Sequence, residues 1–245
     1  SHSVVLTEDG LLFKRRAQEI VALSEKTKRD FIRGNRELSG EIGIGCGEFR
    51  SIQIIAQIMK EFKKEHPFVT FQIYSGNSSN IKERIESGIL DIGVILDYVD
   101  IRKYEYVRIP LSEEWGVLVR EDSPLAVMEY VTPEDIRELP LIISERSMRD
   151  NELADWIGKK YEDLNIVSTY NLMYNAAIMV ANGMGVAGCI KLDCRYEGTR
   201  FVPARPSVKN NSVFAWKKAL SQSQAVSSFI EFSRIYIKRI SSNTT

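Results

Sequence analysis

Little in this chain points to acid–base catalysis, metal binding or cross-linking. Only two histidines occur among 245 residues, His2 near the start and His66 directly before Pro67. That is a thin supply for a histidine-based acid, base or metal site, and His66 reads as a solvated helix-terminal residue. Three cysteines, Cys46, Cys189 and Cys194, form no paired framework, which points to a reducing compartment, the cytoplasm. No G-x-S-x-G elbow, HExxH helix or phosphate-binding loop is present. No apolar run is long enough to span a bilayer, and no basic segment followed by an apolar stretch opens the chain. Net charge is missing too, with 33 Lys+Arg against 33 Asp+Glu, so the chain as a whole has no reason to follow a phosphate backbone. These shortages predict no catalytic residues, no metal, no cofactor and no membrane partner.

What is present is ordinary globular material, 44% hydrophobic and 27% charged, in a length that suits one large domain or two small ones. The opening stretch "VVLTEDGLLFKRRAQEIVALSEKTKRDF" (4–31) differs from the rest. Thr7 suits an N-cap, and Glu8 and Asp9 suit the positive end of a helix dipole. Phe13, Ala17, Ile20, Ser24, Thr27 and Phe31 then recur in steps of four and three, a heptad-like seam weakened by two hydroxyl residues. Gly34 and the Ser39–Gly40 pair are stop signals, so a helix over 8–33 of roughly 40 Å is expected. Two readings stay open. The helix packs on its own chain's core, or Phe13, Ala17, Ile20 and Phe31 pair it with another subunit.

After Gly40 the pattern becomes strand–helix alternation. Strands are expected at 41–47, 68–74 and 89–96, with helices at 51–66 and 77–88 between them. Pro67 stops the first of these helices and Gly88 the second. A second series follows, with strands at 115–120, 140–144, 164–170 and 185–190 and helices at 132–139, 148–161 and 175–183. A strand at 212–219 and a helix at 221–240 close the chain and suggest a return to the first unit. This order predicts an α/β fold with parallel sheets in two similar lobes.

In such sheets ligands sit beyond the carboxyl ends of the strands, where helix N-termini offer free N–H groups. The relevant segments are "CGEFRS" (46–51), "SGNSS" (75–79), "SERSM" (144–148) and "TYNLMY" (169–174). Simple helix capping explains many of their polar residues, and a cap residue is able to exchange its partner for a ligand. "GIGCGEF" (43–49) lacks the complete dinucleotide-binding spacing and reads as a glycine-rich strand end. Cys46 and Cys189 fall near strand ends, either as redox-active thiols or as small buried residues.

Taken in order, these pieces resemble LysR-type transcriptional regulators. "LTEDG" with the long helix is similar to the end of that family's winged helix-turn-helix and its linker helix. "SGEIGIG", Phe62, Pro67, the Gly76–Asn77 turn and "GILD" (88–91) resemble its effector domain. "VANGMGVAG" (180–188) and "FAWKKALSQSQAVSSFIEF" resemble its second-lobe turn and its closing strand and helix. The match covers about residues 4–240. No single motif is strongly specific; their order and spacing are.

The resemblance implies two Rossmann-like lobes joined by a two-strand hinge, as in type II periplasmic binding proteins, preceded by a linker helix. Residues 4–38 would be the linker and dimerisation helix. Lobe I would comprise 40–110 and 213–240, and lobe II 111–212. A small organic effector would sit between the lobes of a homodimer or homotetramer. DNA would be contacted only through a helix-turn-helix domain that this chain does not contain. The implied effector site draws on Gly47, Glu48, Phe49, Arg50, Ser51, Asn77 and Ser78 from the first lobe, and on Ser144, Arg146, Tyr170, Asn171 and Leu172 from the second, with Tyr174 as a further aromatic wall. Phe49, flanked by Glu48 and Arg50, stands where the family often has Ser or Thr at the start of the first helix. Glu48 would repel an anion or prefer an amine, Arg50 would restore affinity for an anion, and a shifted loop would let Ser51 supply the hydroxyl. Two rivals share the fold: a solute-binding protein of a transport system, and an enzyme, for which a convergent acid, base or nucleophile is needed.

Overall fold

The computed structural model describes residues 6–31, 38–96, 102–144, 152–218 and 222–242. Helix α1 (Glu8–Phe31) is followed by β1 (Ser39–Cys46), α2 (Ile52–Glu65), β2 (Phe68–Ser75), α3 (Ser78–Glu86) and β3 (Ile92–Leu96). The long strand β4 (Tyr104–Arg120) leads into α4 (Pro133–Ile136), β5 (Leu141–Ser144), α5 (Glu152–Ile157), β6 (Ile166–Tyr170) and α6 (Met173–Ala181). Strands β7 (Val186–Ile190), β8 (Thr199–Pro203) and β9 (Lys209–Lys217) and helix α7 (Gln224–Ser242) complete the order.

β1 pairs in parallel with β2 and β3, and β9 lies antiparallel beside β3, which brings the end of the chain back to the first lobe. β5 pairs in parallel with β6 and β7, and β7 and β8 flank the C-terminal half of β4. β4 and β9 run antiparallel from Tyr104↔Lys217 to Glu114↔Lys209, with an irregularity between Arg108 and Ser112. These two strands form the hinge between the sheets. The chain thus has the two-lobed α/β fold with a two-strand hinge.

Each lobe has its own core. In the first, Ile42 and Ile44 of β1, Ile55, Ile58 and Phe62 of α2, and Phe229 of α7 are buried together. In the second, Val117 and Val119 of β4 meet Ile136, Leu141, Leu153 and Ile157. Ile142, Ala176, Ala177 and Val180 fill its other face. Gly183, at φ +78°, ends α6 in the left-handed region, and at Gly185 a Cβ would stand 2.4 Å from the Pro140 carbonyl oxygen. The "NGMG" turn therefore lets β7 start hard against β5.

Several expected elements shift. Ser39–Gly40, expected as a stop, opens β1, while Gly34 lies outside the described residues. The strand expected at 89–96 begins only at Ile92, because the Ile89 and Leu90 amides bond back to the Arg84 carbonyl and close α3. The strand expected at 115–120 is the second half of β4; its first half carries Glu105, Arg108, Glu113 and Glu114, which hide the strand pattern. β8 was not expected at all. Of the helix expected at 148–161, residues 148–151 lie outside the described residues, and α5 covers Glu152–Ile157.

α1 touches the first lobe through one face. Ala22 and Glu25 line a hollow with Ile73, Tyr74 and Leu90. The seam points elsewhere: Phe13 is 75% exposed and Ile20 68%, with Ala17 half-buried between them. The Phe31 side chain lies outside the described residues.

Candidate effector site

A cavity of about 110 Å³ lies between the lobes, at the carboxyl ends of β1, β2, β5 and β6. From the first lobe it is lined by Gly47, Glu48 and Phe49 after β1 and by Gly76, Asn77 and Ser78 at the start of α3. From the second come Ser144, Tyr170, Asn171, Leu172 and Met173. Trp115 of the hinge strand, Gly188, Cys189 and Ile190 of β7, and Leu192 close it.

The turn that carries Glu48 owes its shape to a glycine. A Cβ at Gly47 would stand 2.3 Å from the Phe49 ring, so only glycine lets that ring fold back over the chain. Phe49 is buried in the first core and also lines the cavity. Glu48 instead reaches across to the second lobe, and its carboxylate accepts a hydrogen bond from the Met173 amide at 2.7 Å. That amide is one of the unpaired donors at the start of α6, where a negative charge also suits the helix dipole.

The start of α2 is served in the same way by a residue that sequence reasoning missed. Glu113 of β4 is only 1% exposed. Its carboxylate accepts from the Ser51 amide at 3.0 Å, the Ser51 hydroxyl at 2.6 Å and the Arg50 amide at 3.2 Å. Glu113 stands beside the apolar run of "SEEWGVLV", but nothing local signals its burial, because its partner lies 62 positions away.

Arg50 and Ser51, expected at the effector site, do not line the cavity. Ser51 is fully buried against Glu113. The Arg50 guanidinium donates to both oxygens of Asp193 at 2.9 and 3.0 Å, and Gln53 donates to the same carboxylate at 2.6 Å. The hydrogen bond from Arg50 holds the Asp193 carboxyl below its ordinary range, against a smaller opposing effect of burial. Asp193 follows β7, so this cluster is a second tie between the lobes. Tyr174 is exposed and stands outside the cavity lining, and Arg146 lies outside the described residues.

The polar residues that do line the cavity differ in how far they are already engaged. Asn77 caps α3, its side-chain oxygen accepting from the Asn80 amide at 2.9 Å. The Tyr170 hydroxyl donates to the Gly188 carbonyl at 2.7 Å, which fixes the ring as a wall. Ser78 is 6% exposed, and its hydroxyl has no hydrogen-bond partner among the described residues.

The thiols at the site are buried. Burial pushes Cys46 up to about 12, with the nearby Glu113 charge adding to it, and burial pushes Cys189 to about 12 as well. Both stay protonated at neutral pH, when a thiolate is what reacts. Iodoacetamide at pH 8 is expected to modify the exposed Cys194 of the folded protein and to reach Cys46 and Cys189 only on unfolding. Peptide mapping checks this, and labelling of Cys46 at the rate of Cys194 would contradict it. Among the described residues no group of three or more His, Cys, Asp or Glu is placed to hold a metal ion, and no helix is long and apolar enough to cross a membrane.

Comparison with known proteins agrees with this architecture. The family model described as LysR substrate binding domain matches residues 35–236. The HTH-type transcriptional regulator YfeR of Shigella flexneri is 26% identical over 188 residues, 76% of this chain and 61% of that protein. YwqM, an HTH-type transcriptional regulator of Bacillus subtilis, is 32% identical over 159 residues, 62% of this chain and 54% of that protein. The chain thus spans between about half and two thirds of the length of these relatives. Among solved structures, the effector-binding domain of QuiR in complex with shikimate superposes with a TM-score of 0.71 at 18% identity, over 82% of this chain and 99% of that one. Full-length CbnR in complex with its target DNA superposes with a TM-score of 0.70 at 17% identity, over 96% of this chain and 83% of that one. The chain belongs to the LysR substrate-binding domain family of LysR-type transcriptional regulators.

Proposed function

We propose that this chain is the effector-sensing and oligomerising part of a cytoplasmic LysR-type transcriptional regulator, and not an enzyme. Residues 4–38 serve as the linker and dimerisation helix, 40–110 with 213–240 as lobe I, and 111–212 as lobe II. A small organic effector occupies the cavity between the lobes, and the protein works as a homodimer or homotetramer. DNA binding belongs to a helix-turn-helix domain outside these residues. The observation that carries the reading is the cavity itself, built from the strand ends of both lobes, with the Ser78 hydroxyl at its wall.

Signalling then follows from a difference in affinity between two lobe arrangements. The Glu48–Met173 contact and the Arg50/Gln53–Asp193 cluster hold the lobes together here and are lost if the lobes part. An effector that stabilises one arrangement shifts its population only by its differential affinity. Subunit packing changes with it and repositions the DNA-binding heads.

Isothermal titration of a metabolite panel tests the site. A ligand of the wild type is expected to bind Ser78→Ala at least about tenfold more weakly, the loss of roughly one hydrogen bond. Equal affinity would remove the ligand from this cavity. The exposed seam supports oligomerisation through α1. Phe13→Asp with Ile20→Asp is expected to shift light-scattering mass toward the monomer while leaving the circular dichroism of the lobes intact, and an unchanged mass would exclude the seam.

A further inference from the structure

We infer that the cavity takes a compact zwitterion of the amino-acid class, with its carboxylate at the start of α3 beside Ser78 and its ammonium at Glu48. The inference rests on reading this cleft as the effector site and adds the ligand's charge pattern.

Three described helices begin around the cleft, and two of them already have a carboxylate. Glu113 fills the start of α2, and Glu48 fills the start of α6. α3 has only the neutral Asn77 cap, which serves Asn80 with its side chain and Ile81 with its carbonyl. The Ser78 and Ser79 amides have no hydrogen-bond partner among the described residues, as expected for the first turn of a helix. The Ser78 side chain beside them is more than nine-tenths buried and likewise unpartnered among the described residues. Two amides, a hydroxyl and the helix dipole make this the acceptor-binding end of the cavity.

Glu48 brings the opposite sign to the same lining. Among the described lining residues Glu48 is the one acidic side chain, and none of them is a lysine or arginine. Arg50, the nearest basic residue in sequence, is committed to Asp193. Only one Glu48 oxygen is used on Met173, and the second takes no donor among the described residues. A ligand that covers this carboxylate strips water from it, a cost that a cation offsets and an anion increases. Trp115 and Tyr170 also line the cavity, aromatic walls that tolerate an ammonium against their faces. At about 110 Å³ the cavity suits a compact ligand.

The test uses three probes of matched length, L-2-aminobutyrate, butyrate and propylamine, titrated calorimetrically into the wild type, Glu48→Gln and Ser78→Ala. Glutamine keeps an oxygen for the Met173 amide and removes only the charge, and thermal unfolding checks that both variants fold. Aminobutyrate is expected to bind the wild type at least tenfold more tightly than either half-probe. Glu48→Gln should cut aminobutyrate affinity at least tenfold while butyrate holds or tightens, and Ser78→Ala should weaken aminobutyrate and butyrate but not propylamine. Butyrate binding as tightly as aminobutyrate, lost in Ser78→Ala, would overturn the ammonium site and leave the effector cleft in place. Failure of all three probes, with no metabolite showing Ser78-dependent affinity, would overturn the inference and the cleft reading together.

Discussion

Truncating Phe62 to alanine is expected to cost the first lobe about 3–5 kcal/mol, the range for a fully buried aromatic replaced by a cavity. Phe62 is 1% exposed and sits where α2, β2 and α7 meet. Its ring centroid lies 5.0 Å from Phe229, 5.3 Å from Phe232 and 6.4 Å from Phe71, all edge-on or nearly so. Edge-to-face pairs add to the area buried, and none of them survives truncation. At roughly 2–4 °C per kcal/mol for a chain of this size, the melting temperature should fall by about 6–20 °C. A shift under about 2 °C in a thermal melt would mean that the aromatic cluster repacks around the gap. Phe62→Leu keeps most of the volume and should lose much less.

Removing the Glu113 carboxylate is expected to be nearly as damaging, for a different reason. Glu113→Ala leaves the Ser51 amide, the Ser51 hydroxyl and the Arg50 amide without their acceptor, in a place that is closed to water on the Ser51 side. Hydrogen bonds to a charged group are each worth about 1.5–3 kcal/mol and are not additive, so about 3–5 kcal/mol is expected in total. Glu113→Gln keeps one acceptor oxygen and should fall between the wild type and alanine. A double-mutant cycle separates this from a general loss of packing. If the Ser51–Glu113 hydrogen bonds are the cause, Ser51→Ala should cost much less in the Glu113→Ala background than alone. Additive losses in urea unfolding would show that the two residues act independently. The same substitution should let the Cys46 thiol titrate lower, because part of its upward shift comes from the Glu113 charge.

The two residues were unequally legible beforehand. Phe62 stands in a run, Ile54, Ile55, Ile58, Met59 and Phe62, that repeats at helical spacing, and buried residues within it were readable from that spacing alone. Glu113 lies in "LSEEWG", where neither strand nor burial is signalled, since a charged residue is normally placed outside. The same contrast runs through the site. Asn77 and Ser78 follow a strand and open a helix, so their place at the cleft is a local matter of turn chemistry. Arg50 looked like an anion-binding group, but it has a carboxylate partner 143 positions away.

What the sequence determined by itself is therefore what short-range pattern encodes. It includes the long charged helix with an apolar seam, the alternation of strands and helices, the division into two α/β lobes, and the loops at the strand ends. Hydrophobic period and turn residues act over a few positions, and they are enough to choose elements and their order. The tertiary structure alone decided the pairing of charges. Glu48 meets an amide 125 positions away, and Glu113 and Asp193 find partners 62 and 143 positions away. Those contacts depend on how two separately folded lobes face each other across a hinge. A carboxylate's partner is set by a few ångströms of that placement, and no local pattern records it.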